Sequence, residues 1–148
     1  MFSRREPARP ILTAADIILD AKAADKWEAI RLVGNRLVEA GHVEPGYVDA
    51  MIEREKGFTT YVGNGLAIPH GVAESKRFIR SSGLAIAQFP RGIDFGEGNV
   101  AYLVIGIAGK GDQHLELLSS IALRCENPDE VKRLAQTRSA EDLLRAFL

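Results

Sequence analysis

The sequence predicts an α/β layer sandwich, a sheet covered on both faces by helices. Two observations carry this. Ala101 to Ala108 is a near-continuous apolar run of strand length, which marks a strand buried on both sides. Around it, short β-type runs alternate with segments whose apolar residues recur at helical spacing. At 148 residues and 46% hydrophobic, the chain can build one compact domain with a sizeable core and no covalent staples.

Residues 1–10 carry arginines but no apolar stretch behind them, so they read as a flexible N-terminal tail and not a secretory signal, with residues 11–148 as the single domain. Ile11 to Ile18 is short and apolar, with Thr13 placed to cap one helical turn; its exact state is left open. Asp25 and Glu28 form a capping-box pattern, Trp27, Ile30, Val33 and Leu37 recur at helical spacing, and Gly41 closes this first helix. His42 follows it, where exposure to solvent is the default.

Pro45 opens a second helix with Val48, Met51 and Ile52 on its apolar side, and Gly57 ends it. Its last turn, Glu53-Arg54-Glu55-Lys56, reads as a solvated end of mixed charge. Next, Leu66 to Ile68 forms a buried strand that must stop at Pro69, and Gly71 permits a tight turn, so His70 is lifted out of the sheet. Taken alone, Pro-His-Gly is more often a turn histidine without a task.

Glu74-Ser75-Lys76-Arg77 reads as surface and Ser82 to Phe89 as a strand. Pro90-Arg91-Gly92 reads as a turn and Ile93 to Phe95 as a brief edge strand. The central strand, Ala101 to Ala108, empties into Gly109 to His114. A helix follows with Asp112 as cap and Leu115, Leu118, Ile121, Ala122 and Cys125 on its core side. His114 therefore falls in a helix first turn at the end of a central strand, where free N–H groups favour an anion. Asn127-Pro128-Asp129-Glu130 starts another helix through Leu134. Ser139 and Asp142 start the last, which docks through Leu143, Leu144 and Phe147.

Lys+Arg 19 against Asp+Glu 20 leaves no basic excess, which argues against a nucleic-acid partner. No apolar run approaches the roughly 18 residues of a membrane span. One cysteine, Cys125, excludes an internal disulfide and suits a reducing, cytoplasmic setting; on a buried helix face it reads as an inert thiol. No metal-ligand spacing, nucleotide-binding loop or Gly-x-Ser-x-Gly elbow is present, so neither a metal nor another cofactor is expected. Arg54, His70 and His114 can together hold a phosphoryl group: neutral imidazole is a nucleophile, a guanidinium fork matches phosphoryl oxygens, and a second imidazole shares the charge. Acid–base work by the two histidines in a hydrolase or isomerase is the alternative these residues leave open.

Glu53 to Lys56, Thr60 to Gly71 and Tyr102 to Glu116 closely resemble the fructose/mannitol class of enzyme IIA of the phosphoenolpyruvate-dependent sugar phosphotransferase system, over a match from about Leu12 to the C-terminus. Gln88-Phe89-Pro90, Gly92 to Gly96 and the Gly111 to His114 turn are similar to the mannitol-type branch. The resemblance implies a single mixed β-sheet of about five strands flanked by helices on both faces. It also implies that His70 accepts a phosphoryl group, as tele-phosphohistidine, from the phosphocarrier HPr and passes it to a cysteine of a IIB or IICB component for uptake of mannitol or a related polyol. His114 becomes the second active-site histidine and Arg54 the phosphoryl-stabilising arginine. No direct membrane insertion is implied. A nitrogen-type regulatory IIA, acting through phosphorylation-dependent protein binding, is the alternative within the family. An exposed apolar patch is expected around His70, with Phe58, Val62 or Phe95 as candidates to form it.

Overall fold

The computed structural model describes residues 10–148; of the expected tail, all but Pro10 lies outside the described residues. Five strands form one mixed sheet: β1 (Ile17–Ile18), β2 (Tyr61–Gly63), β3 (Leu66–Ala67), β4 (Gly83–Asp94) and β5 (Val100–Ala108), in spatial order β1-β4-β5-β3-β2. β1 runs parallel to β4 and β3 parallel to β5, while β4–β5 and β2–β3 are antiparallel. The apolar run that predicts a central strand is β5, in the middle of the order.

Alternation along β5 explains the two layers. Leu103, Ile105 and Ile107 face one side, against α3 (Gln113–Arg124), α4 (Pro128–Gln136) and α5 (Ala140–Phe147). Val104 and Ala108 face the other, with Ala85 and Ala87 of β4, against α1 (Lys26–Glu39) and α2 (Gly46–Gly57). Small residues on this side let α1 lie close: a Cβ on Gly106 would stand 2.9 Å from Cγ2 of Val33. The Asp25 cap is formed, its carboxylate accepting from the amide of Glu28 at 2.9 Å, and Asn127 caps α4 likewise. Thr13 precedes a single 3-10 turn, and the Asp16 carboxylate accepts from its amide and hydroxyl.

Four expectations are corrected. Pro90 to Gly92 is not a turn between strands: β4 runs on to Asp94 through a register shift between Gln88 and Ile93, the kind of bulge that tolerates a proline. His42 is buried, not exposed; its Nδ1 lies 2.9 Å from Oγ of Ser81, and its ring occupies space that only a glycine at 83 leaves free. In α3, Leu115 and Ala122 face solvent, while Ile121 and Cys125 at the helix end are buried and Leu117 and Leu118 are half-buried. Asp112 stands at the N-cap position of α3 in helical conformation, and its side chain makes no capping bond.

Candidate functional site

β3 ends where Pro69 enters, and the chain leaves the sheet at His70. Nδ1 of His70 lies 2.7 Å from the carbonyl oxygen of Ile68. His114, in the first turn of α3, meets it edge-on, with ring centroids 5.3 Å apart and planes at 62°. That approach depends on Gly109, because a Cβ there would stand 2.3 Å from the Cα of His114. Ser82 fixes the same turn, its hydroxyl accepting from the amide of Lys110 at 2.9 Å and donating to Oε1 of Gln113.

Arg54, in the last turn of α2, lines the same cleft as the two imidazoles, a cavity of about 370 Å³. Its Nη1 donates to the carbonyl of Phe58, which folds the guanidinium back toward its own helix end. The structure thus brings together all three side chains singled out from the sequence. Tyr47 and Lys76 line the cleft as well; among the described residues, no carboxylate does.

Both imidazoles are held below their ordinary pKa of 6.5. For His70 the largest cause is burial; the nearby positive charge of Arg54 and the His114 ring add to it, and the bond to Ile68 and the negative charge of Glu55 partly oppose it. For His114 burial is again first, followed by the charge of Lys76. Two neutral rings beside two cations, with no carboxylate among the described residues that line it, make a cleft suited to an anion.

The mixed-charge end expected of α2 is only partly solvated. Glu55 is buried: it accepts from the amide and hydroxyl of Thr60 at 2.8 and 2.6 Å, and from Nζ of Lys26 at 3.2 Å. This clamp ties the end of α2, and with it Arg54, to the start of β2. Of the expected apolar patch, Phe58 is 74% and Val62 52% exposed; Val62 lines a separate hollow with Asn64, Ala122 and Leu123. Phe95 is instead in the core on the α1 side, with Nζ of Lys26 6.0 Å from its ring centroid. Cys125 is buried, and burial together with Glu130 pushes its thiol up to about 11, so it is protonated at neutral pH.

Sequence reasoning missed Tyr47 and Glu55 and read Lys76 as plain surface. The available signal for Tyr47 was its spacing: it precedes Arg54 by seven residues on α2, two full turns, and so shares its side of the helix.

Similarity to known proteins agrees with this geometry. The chain is 47% identical over 135 residues to the mannitol-specific phosphotransferase enzyme IIA component of Geobacillus stearothermophilus, covering 91% of this chain and 93% of that one. It is similar to the crystal structure of IIA mannitol from Escherichia coli, with 41% identity and a TM-score of 0.86 over 93% of this chain and 99% of that chain. It also matches the complex of enzyme IIA mannitol and phosphorylated enzyme IIB mannitol from Escherichia coli, with 40% identity and a TM-score of 0.87 over 92% and 96%. Matched along residues 10–148, the chain belongs to the EIIA 2 family of the phosphoenolpyruvate-dependent sugar phosphotransferase system.

Proposed function

We propose that this protein is a phosphohistidine relay for mannitol uptake, taking a phosphoryl group from phospho-HPr on His70 and giving it to a cysteine of a IIB or IICB component. The observation that carries the reading is the bond between Nδ1 of His70 and the Ile68 carbonyl. A carbonyl cannot donate, so Nδ1 holds the ring proton, and Nε2 keeps the lone pair that can attack phosphorus.

The step then balances without proton movement. Nε2 forms a bond to phosphorus as the donor's phosphorus–nitrogen bond breaks, and the ring proton stays on Nδ1, donated to the Ile68 carbonyl. In the second transfer a partner thiolate forms the sulfur–phosphorus bond, the bond from Nε2 breaks, and His70 returns to its starting tautomer. Arg54 stabilises the phosphoryl oxygens and His114 shares the third side of the group. Among the described residues no carboxylate lines the cleft to activate water, which shelters the intermediate from hydrolysis until a partner docks.

The mannitol branch and the IIB partner are supported by the relatives named above. Exposed Phe58, whose carbonyl accepts from Arg54 at the cleft, offers apolar surface of the kind that docking beside His70 requires. No helix among the described residues is long and apolar enough to cross a membrane, and we place the relay in the cytoplasm beside a membrane component.

Mixing the protein with phosphoenolpyruvate, enzyme I and HPr tests this. An acid-labile, alkali-stable phosphate should form, with onward transfer to a mannitol-type IIB. Full labelling of His70→Ala would end the reading.

A further inference from the structure

The β3–β5 register pairs Leu66 with Leu103 and Ala67 with Val104; extended by three residues, it sets His70 opposite Ile107. In a parallel ladder the amide of Ile107 should donate to the carbonyl of residue 69, and its carbonyl should accept from the amide of residue 71. The first bond is made, from the Ile107 amide to the Pro69 carbonyl at 2.9 Å. The second is not made directly. The hydroxyl of Tyr47 stands in its place, accepting from the amide of Gly71 at 2.9 Å and donating to the carbonyl of Ile107 at 2.8 Å.

One side-chain oxygen therefore opens the last rung of the ladder at the residue that carries the imidazole. Room for the ring is specific: a Cβ on Gly71 would lie 2.7 Å from Cε1 of Tyr47. Tyr47 is itself buried, which pushes its phenol up to about 12, so the hydroxyl keeps the proton it donates. Because Tyr47 shares a side of α2 with Arg54, and β5 leads directly to Gly109 and His114, the hydroxyl joins the three elements that deliver the three side chains of the cleft.

We propose that Tyr47 is a positioning residue for phosphoryl transfer, its hydroxyl wedged between Gly71 and Ile107 to peel the chain off the sheet at His70 and set the imidazole against Arg54 and His114. This rests on the relay reading of His70. Without the oxygen, the amide of Gly71 can close directly onto Ile107 and draw His70 toward the sheet.

The test is Tyr47→Phe, followed by single-turnover labelling from phospho-HPr and by NMR of the His70 ring nitrogens and the Gly71 amide. Acceptance should slow about tenfold or more, with half-saturating HPr unchanged, while the Gly71 amide and His70 ring signals move. Leu143→Val, in the core of the opposite layer, should leave rate and ring signals as they are. If Tyr47→Phe does not fold, Gly71→Ala combined with Ser75→Ala, which removes the hydroxyl 2.2 Å from the added Cβ and leaves the Tyr47 ring 2.7 Å from it, should give the same slowing, and Ser75→Ala alone should not. Wild-type rates and unmoved ring signals in Tyr47→Phe, or equal slowing in Leu143→Val, overturn the assignment. Failure of the wild-type protein to label at His70 defeats the relay reading instead, and the ring signals still report whether Tyr47 sets the imidazole.

Discussion

The Nδ1 atom of His70 and the carbonyl of Ile68, two residues back along the same chain, are 2.7 Å apart, and this contact decides which ring nitrogen is free. Long-range proton–nitrogen NMR should show Nδ1 protonated and Nε2 bare at pH 7. The pKa of the ring lies below 6.5, so the rate of phosphoryl acceptance should be flat above neutrality and fall only as pH drops through that lowered value. A ring titrating above 6.5 would contradict the geometry.

Stability should follow the same sign. His70 and His114 have folded pKa values lowered from 6.5, so below that pH the unfolded chain takes up protons that the folded chain refuses. Urea midpoints should therefore be insensitive to these groups above 6.5 and decline as pH falls below it. Replacing both histidines by Gln should flatten that part of the decline.

Arg54→Lys keeps the charge and removes the fork. A lysine cannot donate to Phe58 and present two parallel donors to a phosphoryl group as well, so transfer should fall by about tenfold or more while the fold holds. Single-turnover rates alongside thermal melts separate the two effects.

Glu55→Ala should cost roughly 3 kcal/mol or more of stability, because it leaves the buried amide and hydroxyl of Thr60 without their acceptor and takes the carboxylate from Lys26, which keeps the Phe95 carbonyl. Although burial by itself raises the pKa of this carboxyl, the hydrogen bonds from Thr59, Thr60 and Lys26 outweigh it and leave the value below 4.5. The contribution is thus complete above that value and fades as pH falls through the lower one. Urea unfolding of wild type and variant at neutral and acidic pH measures both statements.

Cys125 should resist thiol reagents in the folded protein and react promptly in denaturant, and Cys125→Ala should accept phosphate at the wild-type rate. Loss of labelling in that variant would mean the thiol takes part.

Local grammar made much of this protein legible in its sequence. Caps at Asp25 and Asn127, the unbroken apolar run of β5 and the Pro69 stop are decided by neighbours within a few residues, and each appears where the pattern puts it. The convergence of Arg54, His70 and His114 was also visible, because each sits at the end of an element whose direction the pattern gives. Misreadings cluster where a distant residue intervenes. Glu55 looked solvated until Lys26, 29 positions away, closed on it, and Phe95 looked available until α1 covered it. Pro90 looked like a turn because a bulge in β4 is defined by its partner strand and not by its own residues.

By itself, the sequence determined the helices α1 to α5, the buried strands β3 and β5 and where one imidazole leaves the sheet, since backbone restrictions and the spacing of apolar side chains act over short range. Only the tertiary structure decided that His42 and Glu55 go inside, that Leu115 stays outside, and that the Tyr47 hydroxyl holds open the rung beside His70. Those outcomes turn on which atoms from far along the chain fill a given space or satisfy a given donor, and no local pattern records that.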